Sequence, residues 1–337
     1  MRPNTLKATL KALIASGKNV HIEGSPGLGK TQLVHQAAQE LGPKYHVVFK
    51  HGPTMQPEDL ALPRPNGDRL SFARADWLPL TGDFDEGKHV VVFIDEMAQA
   101  DASVQKSLAN LMQEREAYGV ALHDKLSFIT TGNRASDRAG ANRILSHLRN
   151  RMVTLKFEPS LDDWCQWALD NGVRMEIVSF LRFRPDQLND FDPMRDLNPT
   201  PRMWAENVND IVADVEQGVI PAEAEFECYE GCVGEGAATQ FASFMKMYRK
   251  LPNPDAVLMQ PDTYPVPEEA SVRYALSGAL AHRATEDNFD AVVTFAKRLP
   301  AEFAVYTLLD ATRKNPALQN TKAFTNWAIT DGSKVLM

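Results

Sequence analysis

The stretch Gly24-Ser-Pro-Gly-Leu-Gly-Lys-Thr31 decides the fold of this chain. It matches the pattern G-x-x-x-x-G-K-[ST] at every fixed position. In such a loop the glycines let backbone N–H groups converge on a phosphate, Lys30 reaches the phosphate oxygens, and Thr31 offers a hydroxyl to Mg²⁺. Asn19–Ile22 before the loop predicts a strand. Lys30–Leu41 after it predicts a helix, whose positive dipole end would face the anion.

The nucleotide contacts predicted for this loop fall on consecutive residues. They are Gly24, Ser25, Pro26, Gly27, Leu28, Gly29, Lys30, Thr31 and Gln32. A pattern of this kind can also arise by chance in a loop. Because a strand and a helix flank it in the required order, we interpret it as a site for a nucleoside triphosphate.

An acidic pair follows the next strong strand signal. His89–Ile94 is a nearly continuous run of β-branched and apolar residues, which is typical of a buried parallel strand, and Asp95-Glu96 ends it. We expect Asp95 to hold Mg²⁺ beside Thr31, and Glu96 to activate the attacking water as a base. The other interpretation of such a pair is a helix N-cap.

An amide follows a third predicted strand, Leu126–Thr131. A doubly wound parallel sheet places its ligands at the carboxyl ends of its strands. Asn133, which comes directly after Gly132, is therefore a candidate to orient the attacking water against the γ-phosphate. The alternative is an ordinary turn residue in a Gly-Asn pair.

Arginines are frequent in the segment that precedes the last predicted strand, Met152–Phe157. They are Arg134, Arg138, Arg143, Arg149 and Arg151. An arginine supplied to the γ-phosphate of a neighbouring subunit stabilises charge that develops in the transition state. Arg151, next to the strand, is the first candidate and Arg149 the second. The alternative for either one is a solvated surface charge.

Arg202 lies in Pro199-Thr-Pro-Arg-Met-Trp204 and opens a predicted helix. An arginine at this place is a candidate to swing onto the phosphates and report which nucleotide is bound. The alternative is an arginine on the surface of the helix.

Strands alternate with helices as far as Phe157, and this pattern predicts an α/β domain with a parallel sheet and helices on both faces. Asn66-Gly67 between two extended segments predicts an inserted β-hairpin near 60–75. Ala117–Val120 and its flanks suggest a second hairpin near 116–125.

Helical patterns replace the strand signals from Leu161 onward. We therefore expect three parts: a nucleotide-binding domain over 1–157, an all-α lid over 158–217, and a C-terminal helical region over 218–337.

Composition narrows the class of partner. The formal net charge of −8 argues against a general DNA-coating role, which needs a basic surface. No window approaches the roughly 18 uninterrupted apolar residues that a membrane span needs. The three cysteines give no disulfide framework. We therefore expect a cytoplasmic protein that does not enter a membrane.

Taken together, these motifs resemble the AAA+ ATPases, and most closely the MoxR-like and dynein-related group, whose members carry two inserted hairpins. Asp59-Leu60, with Leu78-Pro79 beyond the first predicted hairpin, is similar to the insert in helix 2 of that group. The resemblance extends from residue 15 to about residue 215.

The resemblance assigns roles to the candidates. It makes Gly24–Thr31 the Walker A loop, Asp95-Glu96 the Walker B pair and Asn133 sensor 1. Arg151 takes the place of the arginine finger, with Met152 where the family has Phe. Arg202 takes the place of sensor 2 in its Thr-Pro-Arg context, acting either on its own subunit or on a neighbour.

The resemblance also implies ATP and Mg²⁺ as cofactors and a homo-oligomer, typically a hexameric ring, which remodels or activates a protein partner. In this group the partner often has a von Willebrand A domain. Three alternatives stay open: a nucleic-acid-translocating motor, which the charge does not favour; a small-molecule kinase on the same loop; and a non-hydrolysing ATP switch, which the presence of Glu96 does not favour. The segment after residue 217 carries no recognised motif, so the partner is not assigned.

Overall fold

A computed structural model describes residues 1–134, 137, 144–249, 251, 253–330 and 332. The chain divides into two compact units. The first comprises Met1–Ser160 and Phe191–Met194, and the second comprises Leu161–Asp190 and Arg195–Met337. The three-part division expected from the sequence, with boundaries after 157 and 217, stays a prediction.

The first unit alternates helices and strands. Its helices are α1 (Pro3–Ala15), α2 (Lys30–Leu41), α3 (Ala102–Glu114) and α4 (Ser146–Arg149). Its strands are β1 (Val20–Glu23), β2 (Tyr45–His51), β3 (Ala61–Asn66), β4 (Arg69–Arg74), β5 (His89–Asp95), β6 (Glu116–Ala117), β7 (Val120–Ala121), β8 (Leu126–Gly132) and β9 (Val153–Lys156). Short 3₁₀ turns occupy Gly52–Thr54, Pro57–Asp59 and Met97–Gln99.

Five strands form one parallel sheet in the order β2-β5-β8-β1-β9. Successive side chains of β5 point to opposite faces of this sheet, and both faces are buried. Val91 and Phe93 belong to the core formed with α1 and α2, whereas Val90 and Val92 belong to the core formed with α3. Helices therefore cover both faces, and the predicted α/β class is confirmed.

The carboxyl ends of the parallel strands meet at one edge of the sheet. β1 leads into the glycine-rich loop, β5 ends at Asp95, and β8 ends at Gly132 next to Asn133. The strand order thus brings together the three motifs that the sequence places far apart along the chain.

Two antiparallel hairpins project from the first unit. β3 and β4 pair from Ala61↔Arg74 to Asn66↔Arg69, as the Asn-Gly signal predicts. The second hairpin, β6 with β7, is shorter than 116–125, because Leu122 pairs with Leu80 instead of continuing the hairpin. The exposed rings of Phe72 and Tyr118 stack with centroids 4.8 Å apart, so the two hairpins touch.

The second unit is helical, and its described residues contain no strand. Its helices are α5 (Leu161–Asp170), α6 (Met175–Phe183), α7 (Pro201–Met203), α8 (Asn209–Glu216), α9 (Glu225–Val233), α10 (Glu235–Tyr248), α11 (Pro254–Met259), α12 (Ala270–Arg283), α13 (Phe289–Ala296), α14 (Ala301–Lys314) and α15 (Lys322–Thr330). A π-helical turn, Trp204–Val208, joins α7 to α8. The expected C-terminal helical region is confirmed.

Aromatic residues fill the core of this unit. The rings of Phe180, Trp204 and Phe241 pack against one another with centroids 5.1 to 5.3 Å apart. The guanidinium of Arg182 and the carboxylate of Asp310 form a buried bidentate pair, which satisfies both charges inside the core. Within the described chain, no helix has the length and apolar character required to cross a membrane.

Candidate active site

The glycine-rich loop joins β1 to α2, and two of its glycines have positive φ angles. Gly27 has φ +71° and Gly29, which precedes α2, has φ +83°. A side chain at Gly24 would meet Phe157 with its Cβ 3.1 Å from the Phe157 Cβ. Glycine is therefore required here for both backbone conformation and space, as the sequence pattern predicts.

Lys30 connects the loop to the end of β8. Its Nζ donates to the carbonyl oxygens of Gly24 and Ser25, both at 2.8 Å, and to Oδ1 of Asn133 at 2.9 Å. Asn133 thus lies beside the loop, in contact with its lysine. Gln32, the last of the predicted nucleotide contacts, is exposed on the first turn of α2.

The predicted metal ligands Thr31 and Asp95 lie in contact. Thr31 Oγ1 donates to Asp95 Oδ2 at 2.7 Å, and Thr131 Oγ1 donates to the other carboxylate oxygen. Mg²⁺ prefers oxygen ligands and keeps several waters or phosphate oxygens, so one carboxylate and one hydroxyl suit it. The donor set therefore fits Mg²⁺, and Thr31 and Asp95 are the residues that would hold it.

Glu96 is held in an unusual backbone conformation. Its φ of +53° places a non-glycine residue in the left-handed region, and its N–H donates to Asp95 Oδ1 at 3.1 Å and to Thr131 Oγ1 at 3.0 Å. The side chain is 42% exposed, and Oε2 lies 3.7 Å from Nε2 of His51. The carboxylate therefore stays accessible to water at the edge of the sheet that carries the loop.

His51 and Gly52 belong to this site, although no sequence motif marks them. His51 is the last residue of β2 and is paired with Asp95 in the sheet. A side chain at Gly52 would place its Cβ only 2.9 Å from the carbonyl oxygens of both Asp95 and Glu96. Glycine thus lets the chain pass directly against the acidic pair, and the only signal in the sequence is a glycine after a predicted strand.

His21 is a buried residue of β1, the strand that leads into the glycine-rich loop. It is 3% exposed, its Nδ1 lies 2.8 Å from Thr130 Oγ1, and a Cβ at Gly132 would lie 3.0 Å from its ring. Burial, together with the positive charges of Arg149 and Lys30, lowers the pKa of His21 from 6.5 to about 4. The ring is therefore neutral at physiological pH.

The lowered pKa of His21 predicts that the free energy of unfolding decreases in acid. The unfolded chain binds a proton on His21 as the pH falls through 6.5, whereas the folded chain stays neutral until about 4. Between these values the shift should remove about 3 kcal/mol of unfolding free energy, since each pKa unit is worth about 1.4 kcal/mol. Urea unfolding at pH 7 and at pH 4.5 measures this difference.

The matched controls are two asparagine variants. His21→Asn removes the titrating group and should show a smaller loss between the two pH values, whereas His46→Asn, at an exposed position of β2, should behave like the wild type. An equal loss in the wild type and in His21→Asn would contradict the interpretation.

The arginine candidates differ in their surroundings. Arg149 Nη2 lies 3.1 Å from Glu23 Oε2, and Arg134 donates to the carbonyl oxygen of Phe157 at 2.7 Å. Arg151 donates to the carbonyl oxygen of His147 and to the side chain of Gln113. Arg138 and Arg143 lie outside the described residues. Arg202 belongs to the second unit, where Thr200 caps the start of α7 and leaves Arg202 exposed.

The arrangement of loop, acidic pair and amide agrees with the comparison to protein families. Residues 19–152 match the AAA domain of the dynein-related subfamily. This match covers β1, β5 and β8 and every candidate residue discussed above except Arg202. A search among curated proteins gave no match.

The chain also aligns with solved structures of RuvB from Thermotoga maritima. A proline-to-glycine mutant of that protein is 18% identical, with 82% of this chain and 80% of that chain covered and a TM-score of 0.44. The structure described as a Holliday junction branch migration motor is 20% identical, with the same coverage and a TM-score of 0.39. Similarity at this level does not decide what the chain acts on.

Proposed function

We propose that this protein is a ring-forming, Mg²⁺-dependent ATPase of the MoxR-like type, which uses ATP hydrolysis to remodel or activate a protein partner. The observation that supports it most is the position of four polar side chains at one edge of the sheet. Lys30 donates a hydrogen bond to Asn133, and Thr31 donates one to Asp95. The loop alone would support only nucleotide binding, whereas the accessible Glu96 beside it adds a base for hydrolysis.

In the proposed mechanism, the backbone of the loop and Lys30 bind the phosphates. Thr31 and Asp95 would hold Mg²⁺, and the ion would supply positive charge that neutralises the phosphate oxygens. Asn133 orients a water molecule, and Glu96 accepts its proton as the water attacks the γ-phosphate in line with the departing ADP oxygen. Arg151 of a neighbouring subunit stabilises the developing charge, and Arg202 reports the state of the nucleotide.

The proposed partner is a protein, and a von Willebrand A domain is the class that the resemblance implies. The hairpin β3–β4 exposes Arg64, Arg69 and Arg74, but Asp68 lies at its tip and the whole chain carries a net charge of −8. Nucleic-acid binding depends on a basic surface that releases counterions, so the balance of charge favours a protein partner.

A shared active site makes hydrolysis depend on assembly. We expect the ATPase rate per subunit to rise with protein concentration, because Arg151 reaches its substrate only across a subunit interface. The rate and the molar mass from light scattering should rise over the same concentration range in ATP and Mg²⁺, and EDTA should abolish the rate. A constant rate per subunit from a monomer would reject the ring and favour a P-loop kinase.

The same assay separates the two partner classes. A purified von Willebrand A domain protein from the same source should raise the ATPase rate, whereas single- and double-stranded DNA at low salt should leave it unchanged. Stimulation by DNA alone, weakening steeply with added salt, would instead support a nucleic-acid motor.

A further inference from the structure

The segment that carries Arg149 and Arg151 makes polar contacts with residues at both ends of β1. Directly before the strand, the carbonyl oxygen of Asn19 accepts a hydrogen bond from the N–H of Val153 at 2.8 Å, and its side chain donates to the carbonyl oxygen of Arg151 at 3.4 Å. At the end of the strand, Glu23 Oε2 lies 3.1 Å from Arg149 Nη2. The arginine segment is therefore attached to the strand that leads into the nucleotide loop.

The Glu23–Arg149 pair lies at the root of this loop. Glu23 directly precedes Gly24, and its side chain is only 13% exposed, so its carboxylate depends on a positive partner. The guanidinium of Arg149 is 46% exposed and approaches from α4 of the same chain.

We propose that Arg149 is a positioning residue for the nucleotide loop of its own subunit, through Glu23, and not an arginine donated to a neighbour. This inference rests on the proposed inter-subunit ATPase. Glu23 directly precedes Gly24 of the loop, and Arg151 lies only two residues beyond Arg149. The pair therefore connects the nucleotide loop to the segment that carries Arg151.

Mixing two inactive variants tests whether an arginine acts within its own subunit. Lys30→Ala subunits bind no ATP but still offer both arginines to a neighbour. In an equimolar mixture with Arg151→Ala subunits, half of the subunits bind ATP and half of those face a Lys30→Ala neighbour. Activity should therefore rise to about a quarter of the wild-type rate, as expected of an arginine supplied in trans.

Arg149→Glu should behave differently in the same mixture. Alone it should lower kcat/KM for ATP about tenfold, a coupling of the size measured for residues in contact. Mixing it with Lys30→Ala should give no more than the average of the two separate rates. The Arg149→Glu subunit has a damaged nucleotide loop of its own, which an intact Arg149 in a neighbouring subunit does not repair. A rise like that of the Arg151→Ala mixture would overturn the inference.

Exchanging the charges of Glu23 and Arg149 distinguishes loss of the ion pair from misfolding of the variant. Glu23→Arg/Arg149→Glu should recover most of the activity that Arg149→Glu loses, and Arg149→Lys should retain most of it alone. Absence of recovery in the exchanged variant, despite normal thermal unfolding, would overturn the role of the pair. Failure of the Arg151→Ala mixture to gain activity would instead reject the inter-subunit site itself, so the two outcomes are distinguishable.

Discussion

Replacing Glu96 with glutamine is expected to lower kcat for ATP hydrolysis about 100- to 10 000-fold, which is the usual contribution of a general base. Glutamine keeps the shape of the side chain but cannot accept the proton of the attacking water. In the part of the chain that the structure describes, the proposed phosphate ligand Lys30 and the proposed metal ligands Thr31 and Asp95 make no hydrogen bond to the Glu96 carboxylate. ATP affinity should therefore stay within a few-fold of the wild type.

Phosphate release measured beside equilibrium binding of a fluorescent ATP analogue separates these two effects. Glu114→Gln, an exposed glutamate at the end of α3, is the matched control and should leave both values unchanged. Retention of more than half of the wild-type rate by Glu96→Gln would remove Glu96 from the mechanism.

The same variant serves to identify the partner. A subunit that binds ATP but does not hydrolyse it should remain in the complex that ATP binding favours. Immobilised Glu96→Gln protein with ATP should therefore retain a purified candidate partner that is released when ATP is replaced by ADP.

Replacing Arg151 with alanine should lower kcat by about 1000-fold, the lower end of the range for an arginine that completes a phosphoryl-transfer site. The dissociation constant for ATP should change little, because such an arginine acts on charge that develops in the transition state. Arg283→Ala, which breaks a surface pair with Asp255, is the control and should leave kcat unchanged.

The surroundings of Arg151 add a condition to this prediction. Its guanidinium contacts His147 and Gln113 within its own chain, and among the described residues its Nε has no acceptor although it is buried. To reach the active site of a neighbouring subunit, the Arg151 side chain must break its hydrogen bond to Gln113. Gln113→Ala should therefore not reduce the rate. A loss comparable to that of Arg151→Ala would indicate that Arg151 functions while bonded to Gln113.

Much of the site follows from local sequence. The loop at Gly24–Thr31 and the strand before Asp95 each carry their own pattern, so their elements can be predicted without knowledge of the rest of the chain. The contact between Lys30 and Asn133 also follows, because the carboxyl ends of parallel strands share one edge of a sheet.

The contributions of His51 and Gly52 could not be predicted in this way. A glycine after a strand resembles a glycine in any loop, and only the three-dimensional structure shows that a Cβ there would meet the acidic pair. The pair of Glu23 with Arg149 likewise depends on where α4 lies. The helical spacing of apolar residues in the second unit comes from core residues such as Trp204. This pattern therefore indicates how the unit packs, but it does not identify a partner.

The left-handed backbone of Glu96 has a consequence for protein engineering. A non-glycine residue at φ +53° costs about 1 kcal/mol relative to glycine, so Glu96→Gly should raise the melting temperature of the chain while abolishing turnover. A library selected only for heat resistance should therefore drift towards glycine or asparagine at this position. Selection for thermostability in this protein must be accompanied by a selection for hydrolysis, because at residue 96 the two demands favour different amino acids.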